Sequence, residues 1–239
     1  MVNLKGDDKS RYVSAMFDKV AERYDLMNTI MSGGMHHFWR KKASRLALQG
    51  IEGDILDIAT GTGDFAIELA RSSKINRVVG LDFSAKMLPI ARNKSVKKHL
   101  INKSDWVLGN AMTLPFVGEH FICVTIGFGL RNFSDKGKAL TEVMRVLKPG
   151  GKLVVLDIIP LSGKSPLNVL SKLYFNRVVP LLGSVFAGSK EAYTYLPDSV
   201  ENYLSPSELV SMMEGVGLQN ISYGTIFMNT IAFHVAQKG

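Results

Sequence analysis

The chain has one cysteine, Cys123, among 239 residues. A single thiol cannot close an internal disulfide. That excludes the stapled secreted scaffolds and suits a reducing, cytoplasmic setting. Cys123 lies in the apolar run "FICVTI", where a small buried side chain is the ordinary reading. Long apolar runs are also missing. Stretches such as "VVPLLGSVFAG" fall short of the roughly 20 residues that a membrane-spanning helix needs. The stretch "MVNLKGDDKSR" lacks an apolar segment, so no signal peptide is expected. There is no repeat or low-complexity linker, and no histidine, cysteine and carboxylate pattern that suggests a metal. Acidic residues are few beside basic ones, 21 against 29, for a net charge of +8. The excess favours an anionic neighbour: nucleic acid, an anionic membrane surface or an acidic ligand. Two clusters carry much of it, "HHFWRKKASR" (36–45) and "RNKSVKKH" (92–99). Each is equally well read as a solvated helix face.

What is present is a regular alternation. The length suits one elaborated α/β domain. The first fifty residues read as helices, with Met16, Val20, Tyr24 and Met27 at helical spacing. "SGGM" interrupts them before a helix over roughly 35–49. From residue 53 onward, strands "DILDIA", "RVVGLDF", "DWVLGNA", "HFICVTI" and "KLVVLDII" alternate with helices. Near-continuous apolar strands of this kind predict a parallel sheet covered on both faces. Ser84 is a plausible N-cap for the helix after the second strand, and "KPGG" stops the helix before the fifth. An apolar segment follows, with Leu167, Leu170, Tyr174, Val178, Leu181 and Val185 at helical spacing. Ser205, Pro206 and Glu208 form a capping box with proline at the first helical position. The last strands, "LQNISYG" and "TIAFHVAQ", are close in sequence and predict an antiparallel pair at one sheet edge.

"LDIATGTGDFA" (56–66) places Gly61, Gly63 and Ala66 between a strand and a helix, with Asp82 ending the next strand. This spacing is that of a nucleoside-cofactor loop. Glycines there let backbone approach the ligand, and the acid accepts from ribose hydroxyls. NAD and S-adenosylmethionine both satisfy it. Asp57 favours the second, since an acid there would repel a pyrophosphate and attract an ammonium group. The N-terminal helices and the closing antiparallel strands add a resemblance to class I methyltransferases. "GNAMTLPF" then puts Asn110 and Ala111 after the third strand, where a carboxamide can both donate to and accept from a base edge. An Asx turn is an equally simple reading of Asn110.

Motifs that run nearly end to end are more specific. They include "FDKVAERYDLMNTIMSGGMHHFWR", "GLDFSAKML", "TIGFGLRNFSD", "RVLKPGGKLVVLD" and "YTYLPDSV". Through them the chain resembles the UbiE/MenG/Coq5 quinone C-methyltransferase family, the demethylmenaquinone methyltransferases and their ubiquinone-pathway relatives. The resemblance implies a class I, Rossmann-like α/β fold with a seven-stranded, mostly parallel sheet, an antiparallel edge pair and helices on both faces. It implies one domain over 1–239. That domain divides into a helical cap (1–50), a cofactor-binding core (51–160), a substrate lid (161–204) and a closing helix with strands (205–239).

S-adenosylmethionine is the implied cofactor, held by Asp57, Gly61, Thr62, Gly63, Asp82, Phe83, Asn110, Ala111 and, through backbone, Gly127. Ubiquinone-type members often have serine at the position of Gly127. Ala59 stands where many class I enzymes have glycine, a departure expected to be tolerated. The implied reaction is methylation of a polyprenylated quinol ring carbon, demethylmenaquinol to menaquinol or the ubiquinone counterpart. Such chemistry needs in-line positioning, stabilisation of a developing phenolate and a proton acceptor. "GFGLRN" (127–132) ends the fourth strand, where acceptor sites lie. Arg131 is the expected charge stabiliser and Asn132 the orienting amide. The proton acceptor is a water they position, or His36, Tyr24 or Tyr195. The apolar segment 166–187 with "YTYLP" is expected to form a channel for the ring and tail, or else ordinary core.

The basic clusters near Trp39 suit peripheral attachment to anionic lipid, on the cytoplasmic face of an inner membrane. A homodimer is left open. Other readings compete. A different phenolic small molecule as acceptor keeps the fold and cofactor. RNA methylation lacks an asparagine–proline–proline–aromatic motif and a catalytic cysteine after the fourth strand, so no nucleic-acid partner is expected. NAD-dependent redox chemistry and a non-enzymatic scaffold complete the set.

Overall fold

The computed structural model describes residues 6–160, 177 and 190–239. Its N-terminal helices are α1 (Gly6–Val20), α2 (Tyr24–Ser32) and α3 (Met35–Leu48). The expected first helix is split by a 3-10 turn at Ala21–Arg23. Met16, Val20 and Met27 still meet in one buried cluster, because the tighter turn keeps them near one face. Gly33 and Gly34 make the next break at φ 55° and 78°, a left-handed conformation that costs glycine little.

The strands are β1 (Gly53–Ile58), β2 (Ile75–Asp82), β3 (Ser104–Leu108), β4 (Phe121–Gly127), β5 (Leu147–Ile158), β6 (Leu218–Ile226) and β7 (Ile231–Lys238). The intervening helices are α4 (Asp64–Ala70), α5 (Met87–Lys97), α6 (Lys136–Val146), α7 (Lys190–Glu201) and α8 (Pro206–Gly215). The sheet order is β3-β2-β1-β4-β5-β7-β6. β1 to β5 pair in parallel, and β7 is antiparallel to both β5 and β6. The expected edge pair is there, with the later strand inserted inside. Burial explains the swap. β7 is buried along its first four residues, whereas β6 exposes Gln219, Asn220, Tyr223 and Gly224. The more polar strand takes the edge.

Side-chain alternation sends Leu56, Ile58, Val124, Ile126, Leu153 and Val155 to one face, under α6 and α8. Ile55, Cys123, Val154 and Leu156 go to the other, under α3 and α4. The Cys123 thiol is fully buried, and desolvation pushes it up to about 12. It is a small core residue.

Two boundaries differ from expectation. α5 starts at Met87 with Lys86 in the N-cap position, two residues after Ser84. The Ser84 hydroxyl nevertheless accepts from Met87 N–H at 3.3 Å. β5 starts before "KLVVLDII", since Leu147 already pairs with Phe121 across an irregularity in register. The capping box forms as expected, with Glu208 N–H donating to Ser205 Oγ and Ser205 N–H to Glu208 Oε2. The apolar segment 166–187 lies outside the described residues, except Arg177. Among the described residues no helix is long and apolar enough to cross a membrane.

Candidate active site

β1 and β4 are neighbours, and their following chains leave to opposite sides of the sheet. Such a switch point opens a crevice beyond the carboxyl ends of the strands. A cleft lies there, with about 800 Å³ of non-atom space, solvent at its mouth included. Its floor comes from Ala59 and Gly61 after β1, Asp82 and Phe83 at the end of β2, and Asn110, Ala111 and Met112 after β3. The loop after β4 adds Gly127, Phe128, Gly129 and Asn132, and α1 roofs the cleft with Val13, Ser14 and Phe17.

Polar contacts hold α1 over the cleft. Ser14 Oγ donates to Phe83 O at 3.3 Å, and Ser84 Oγ donates to Asp18 Oδ1 at 2.5 Å. Ser10 and Ser134 hydroxyls meet at 3.2 Å, and Lys9 Nζ reaches Phe133 O at 3.3 Å. The roof therefore touches the loops after β2 and β4 together. Sequence reasoning missed these α1 residues, because a serine row on an amphipathic helix reads as solvent-facing.

Asp82 receives Gly61 N–H at 2.7 Å and Ser84 N–H at 2.8 Å, one on each oxygen. Desolvation raises its pKa against these backbone bonds. The carboxylate is thereby fixed at the cleft wall with lone pairs left for hydroxyls. Asn110 Oδ1 accepts from Met112 N–H at 3.0 Å. The Asx turn is real, and it aligns the carboxamide beside the cleft rather than competing with that role. Ala59 has φ 55°, so the residue expected to be tolerated is held in a left-handed conformation that costs roughly 1–2 kcal/mol.

Three loop residues do not line the cleft. Asp57 falls on the α3 and α4 face, because it shares the phase of Ile55. Thr60 Oγ1 and Thr125 Oγ1 each donate to it at 2.6 Å. Desolvation lifts its pKa to about 6 against those two bonds. It ties the loop to β1 and β4 rather than offering a free carboxylate for an ammonium. Thr62 Oγ1 donates to Asp25 Oδ1 at 2.5 Å and accepts from Lys94 Nζ at 3.1 Å. Lys94 also pairs with Asp25 and Asp64. Thr62 thus joins the loop to α2 and α5. A Cβ on Gly63 would lie 2.6 Å from Trp106 Cη2, so this glycine serves close helix packing.

In "GFGLRN" the two glycines have packing reasons. A Cβ on Gly127 would lie 2.7 Å from Phe65 Cδ1, and one on Gly129 would lie 2.5 Å from Ala59 Cβ. The room they leave is filled by protein. Arg131 is buried and does not itself line the cleft. Its Nη1 donates to Asp157 Oδ1 at 2.7 Å and to Phe128 O at 2.5 Å. Burial alone would lower its pKa; Asp157 outweighs that and raises it. Asn132 lines the cleft. Asn132 Oδ1 and Arg131 Nε are buried without a hydrogen-bond partner. Sequence reasoning missed Asp157, although an acid in an otherwise apolar strand end is a visible signal.

The candidate proton acceptors separate. Tyr24 lines the cleft. Tyr195 of α7 does not line the cleft; it makes an edge contact with Tyr12 at 6.3 Å, and desolvation raises its pKa although Arg131 pulls it down. His36 does not line the cleft. It is buried, with Nδ1 on Ser32 Oγ at 2.7 Å, and its pKa falls to about 4 through desolvation first and then Arg40. His36, His37 and Asp64 bring ligand-type atoms within 4.8 Å of one another. Asp64 is already paired with Arg40 at 3.4 Å and with Lys94, so a metal ion there would compete with two cations for this carboxylate.

The cleft offers a fixed carboxylate after β2, a carboxamide after β3 and apolar walls. These groups fit an adenosine, with Asp82 for the hydroxyls and Asn110 for the base edge. With the 3-2-1-4-5-7-6 sheet they define a class I, S-adenosylmethionine-dependent methyltransferase. Residues 5–238 match the model of the ubiE/COQ5 methyltransferase family, and the chain belongs to that family. The demethylmenaquinone methyltransferase of Thermus thermophilus is 42% identical over 223 residues, covering 93% of this chain and 100% of the relative. The ubiquinone/menaquinone biosynthesis C-methyltransferase UbiE of Francisella tularensis subsp. tularensis is 36% identical over 238 residues, covering 97% of this chain and 93% of its own. Among solved structures, the cyclase SpnF matches with a TM-score of 0.71 at 17% identity, over 96% of each chain. That likeness concerns the fold alone. Because it pairs this chain with a cyclase, architecture by itself does not select the reaction.

Proposed function

We propose that the protein methylates a ring carbon of a polyprenylated quinol, demethylmenaquinol above all, as the names of its relatives suggest. The observation that carries the reading is Asn132. The residue lines a largely apolar cleft, and its Oδ1 is buried without a partner just behind that surface. A buried acceptor without a partner is costly, and a quinol hydroxyl is a group that would satisfy it.

Bound S-adenosylmethionine supplies an electrophilic methyl group. Asp82, Phe83, Asn110 and Ala111 would hold its adenosine end, and Gly61 and Gly127 would contribute backbone. Asn132 orients one acceptor hydroxyl. Arg131, one residue before Asn132 and behind the cleft wall, adds positive charge that favours the phenolate form and thereby the nucleophilic carbon. Its pairing with Asp157 prevents the guanidinium from rotating away. Tyr195, protonated at neutral pH, is a donor rather than a base. His36, held away from the cleft lining and weakly basic, takes no part. The proton acceptor is a water positioned by Asn132. In this reading 1–50 is the cap, 51–160 the core, 161–204 the lid and 205–239 the closing unit. The protein acts in the cytoplasm, attached peripherally to anionic lipid through α3, and requires no nucleic-acid partner.

The test is incubation with methyl-labelled S-adenosylmethionine and either reduced demethylmenaquinone or a demethoxy-ubiquinol analogue. The product is then identified by mass and fragmentation. Ring-carbon methylation of either quinol supports the proposal. Transfer only to another phenol replaces it with the alternative acceptor.

A further inference from the structure

Trp39, in the N-terminal half of α3, lies 6.2 Å from Phe128, which follows β4 and lines the cleft, so that half of α3 sits at the same sheet edge as the cleft. The β6–β7 hairpin tip lies at that edge too, because Ile231 pairs with Ile158 at the end of β5. The two elements meet: the rings of Trp39 and Phe227 are 5.4 Å apart. Around this junction the molecule exposes apolar side chains. Phe38 is 55% exposed, Met228 53%, Phe227 47% and Met35 38%.

The hairpin tip is built to present them. Phe227, Met228 and Asn229 all have positive φ, at 50°, 55° and 59°. Such a conformation is uncommon for residues with side chains, and three in a row are held by Thr230 Oγ1 donating to Phe227 O at 2.6 Å and Thr225 Oγ1 donating to Asn229 Oδ1 at 2.6 Å. Strain maintained by local bonds clusters at functional surfaces. The charge is equally ordered. Met35, Phe38, Lys41, Lys42 and Arg45 follow one stripe of α3, with Lys41 and Arg45 exposed. Neither α3 nor residues 226–231 contain an acidic residue. At about 1.5 Å per residue, Lys41 and Arg45 lie roughly 5 and 10 Å behind Phe38. The apolar side chains therefore lead and the two cations follow, the order in which acyl chains and anionic headgroups are met. An aromatic series also leads inward. Phe128 of the cleft wall is 6.2 Å from Trp39, which touches exposed Phe227.

We infer that the N-terminal half of α3 and the β6–β7 hairpin tip form a docking surface for an anionic lipid bilayer, inserting Phe38, Phe227 and Met228 and placing Lys41 and Arg45 at the headgroups. The inference deepens the proposed function, since it rests on a membrane-resident acceptor, and it names the face that meets the membrane. Within the second basic cluster Lys94 is spent on Asp25 and Asp64, and exposed Lys97 and Lys98, at the C-terminal end of α5, play no part.

The test is vesicle flotation of the full chain, without methyl donor or acceptor, so that its outcome is independent of methyl transfer. Vesicles of phosphatidylglycerol with phosphatidylcholine are compared with phosphatidylcholine alone. The wild type floats with the anionic vesicles and is released by salt. F38S/M228S loses at least about tenfold in partitioning, given the apolar area withdrawn from lipid. K41E/R45E loses about 25-fold or more, at roughly fivefold per basic residue removed. Both keep the wild-type melting temperature, because these side chains are exposed. K97E/K98E, in the second cluster, floats as the wild type does. Wild-type flotation by either patch variant, equal loss in K97E/K98E, equal binding to neutral vesicles or no binding at all would overturn the inference. So would a patch variant that converts a dimer to a monomer in sedimentation, which would make the face an interface between copies.

Discussion

Arg131 Nη1 lies 2.7 Å from Asp157 Oδ1, with both side chains buried. Asp157 Oδ2 also accepts from the Arg131 backbone N–H at 3.2 Å. One acid at the end of β5 therefore fixes both the backbone and the guanidinium of the loop after β4. Replacing Asp157 by Asn leaves a buried cation without its counter-charge. The expected loss is about 3–5 kcal/mol of stability, read from urea unfolding, together with reduced turnover. Cofactor affinity, measured by calorimetry, is expected to stay near wild type, because Asp82 and Asn110 are untouched.

Asn132 behaves differently because its Oδ1 has no partner in the protein. Asn132→Ala therefore costs less than about 1 kcal/mol in unfolding, within the range of substitutions that break no internal bond. Its kcat falls by about 100-fold, the scale on which a positioned polar group acts in a transition state. Wild-type turnover in this variant would remove Asn132 from the proposed site.

Two buried groups titrate in opposite senses over one pH window. Asp57 is raised from 3.8 to about 6, so the folded state binds the extra proton and stability falls as pH rises from about 4 to 6. His36 is lowered from 6.5 to about 4, so the unfolded state binds the extra proton and stability rises with pH between about 4 and 6.5. Each effect is on the order of 2–3 kcal/mol. Relative to wild type, Asp57→Asn is expected to gain stability with rising pH across this window, and His36→Gln to lose it. Urea midpoints at several pH values check both signs.

Gly127 is kept small by Phe65. Gly127→Ser places a Cβ 2.7 Å from the ring, an overpacking worth about 1–3 kcal/mol. The same serine with Phe65→Leu is expected to recover most of that loss, as seen in the melting temperature. No recovery would mean that the glycine answers to something other than the ring.

Much of the fold was legible because its signals are local. Apolar runs such as "DILDIA" and "HFICVTI", the glycine loop and the Ser205 capping box report on residues within a few positions of one another. The places of Asp82, Phe83, Asn110 and Asn132 at the cleft followed, since each ends or closely follows a strand at the carboxyl edge. Asp57 misled for the same reason. It is as near the loop as Asp82 is to its own strand end, yet its phase in β1 turns it toward Thr60 and Thr125.

The amino-acid sequence by itself determined the alternation of strands and helices, the location of the cofactor loop and the family. These depend on periodicity and on short spacings that persist in any conformation of the rest of the chain. Only the tertiary structure decided that β7 enters the sheet before β6, that Arg131 is held by Asp157, that Phe65 fills the space at Gly127 and that Trp39 joins the cleft wall to the hairpin tip. Each is a contact between residues brought together by sheet register and helix packing, and such contacts leave no periodic mark in the chain.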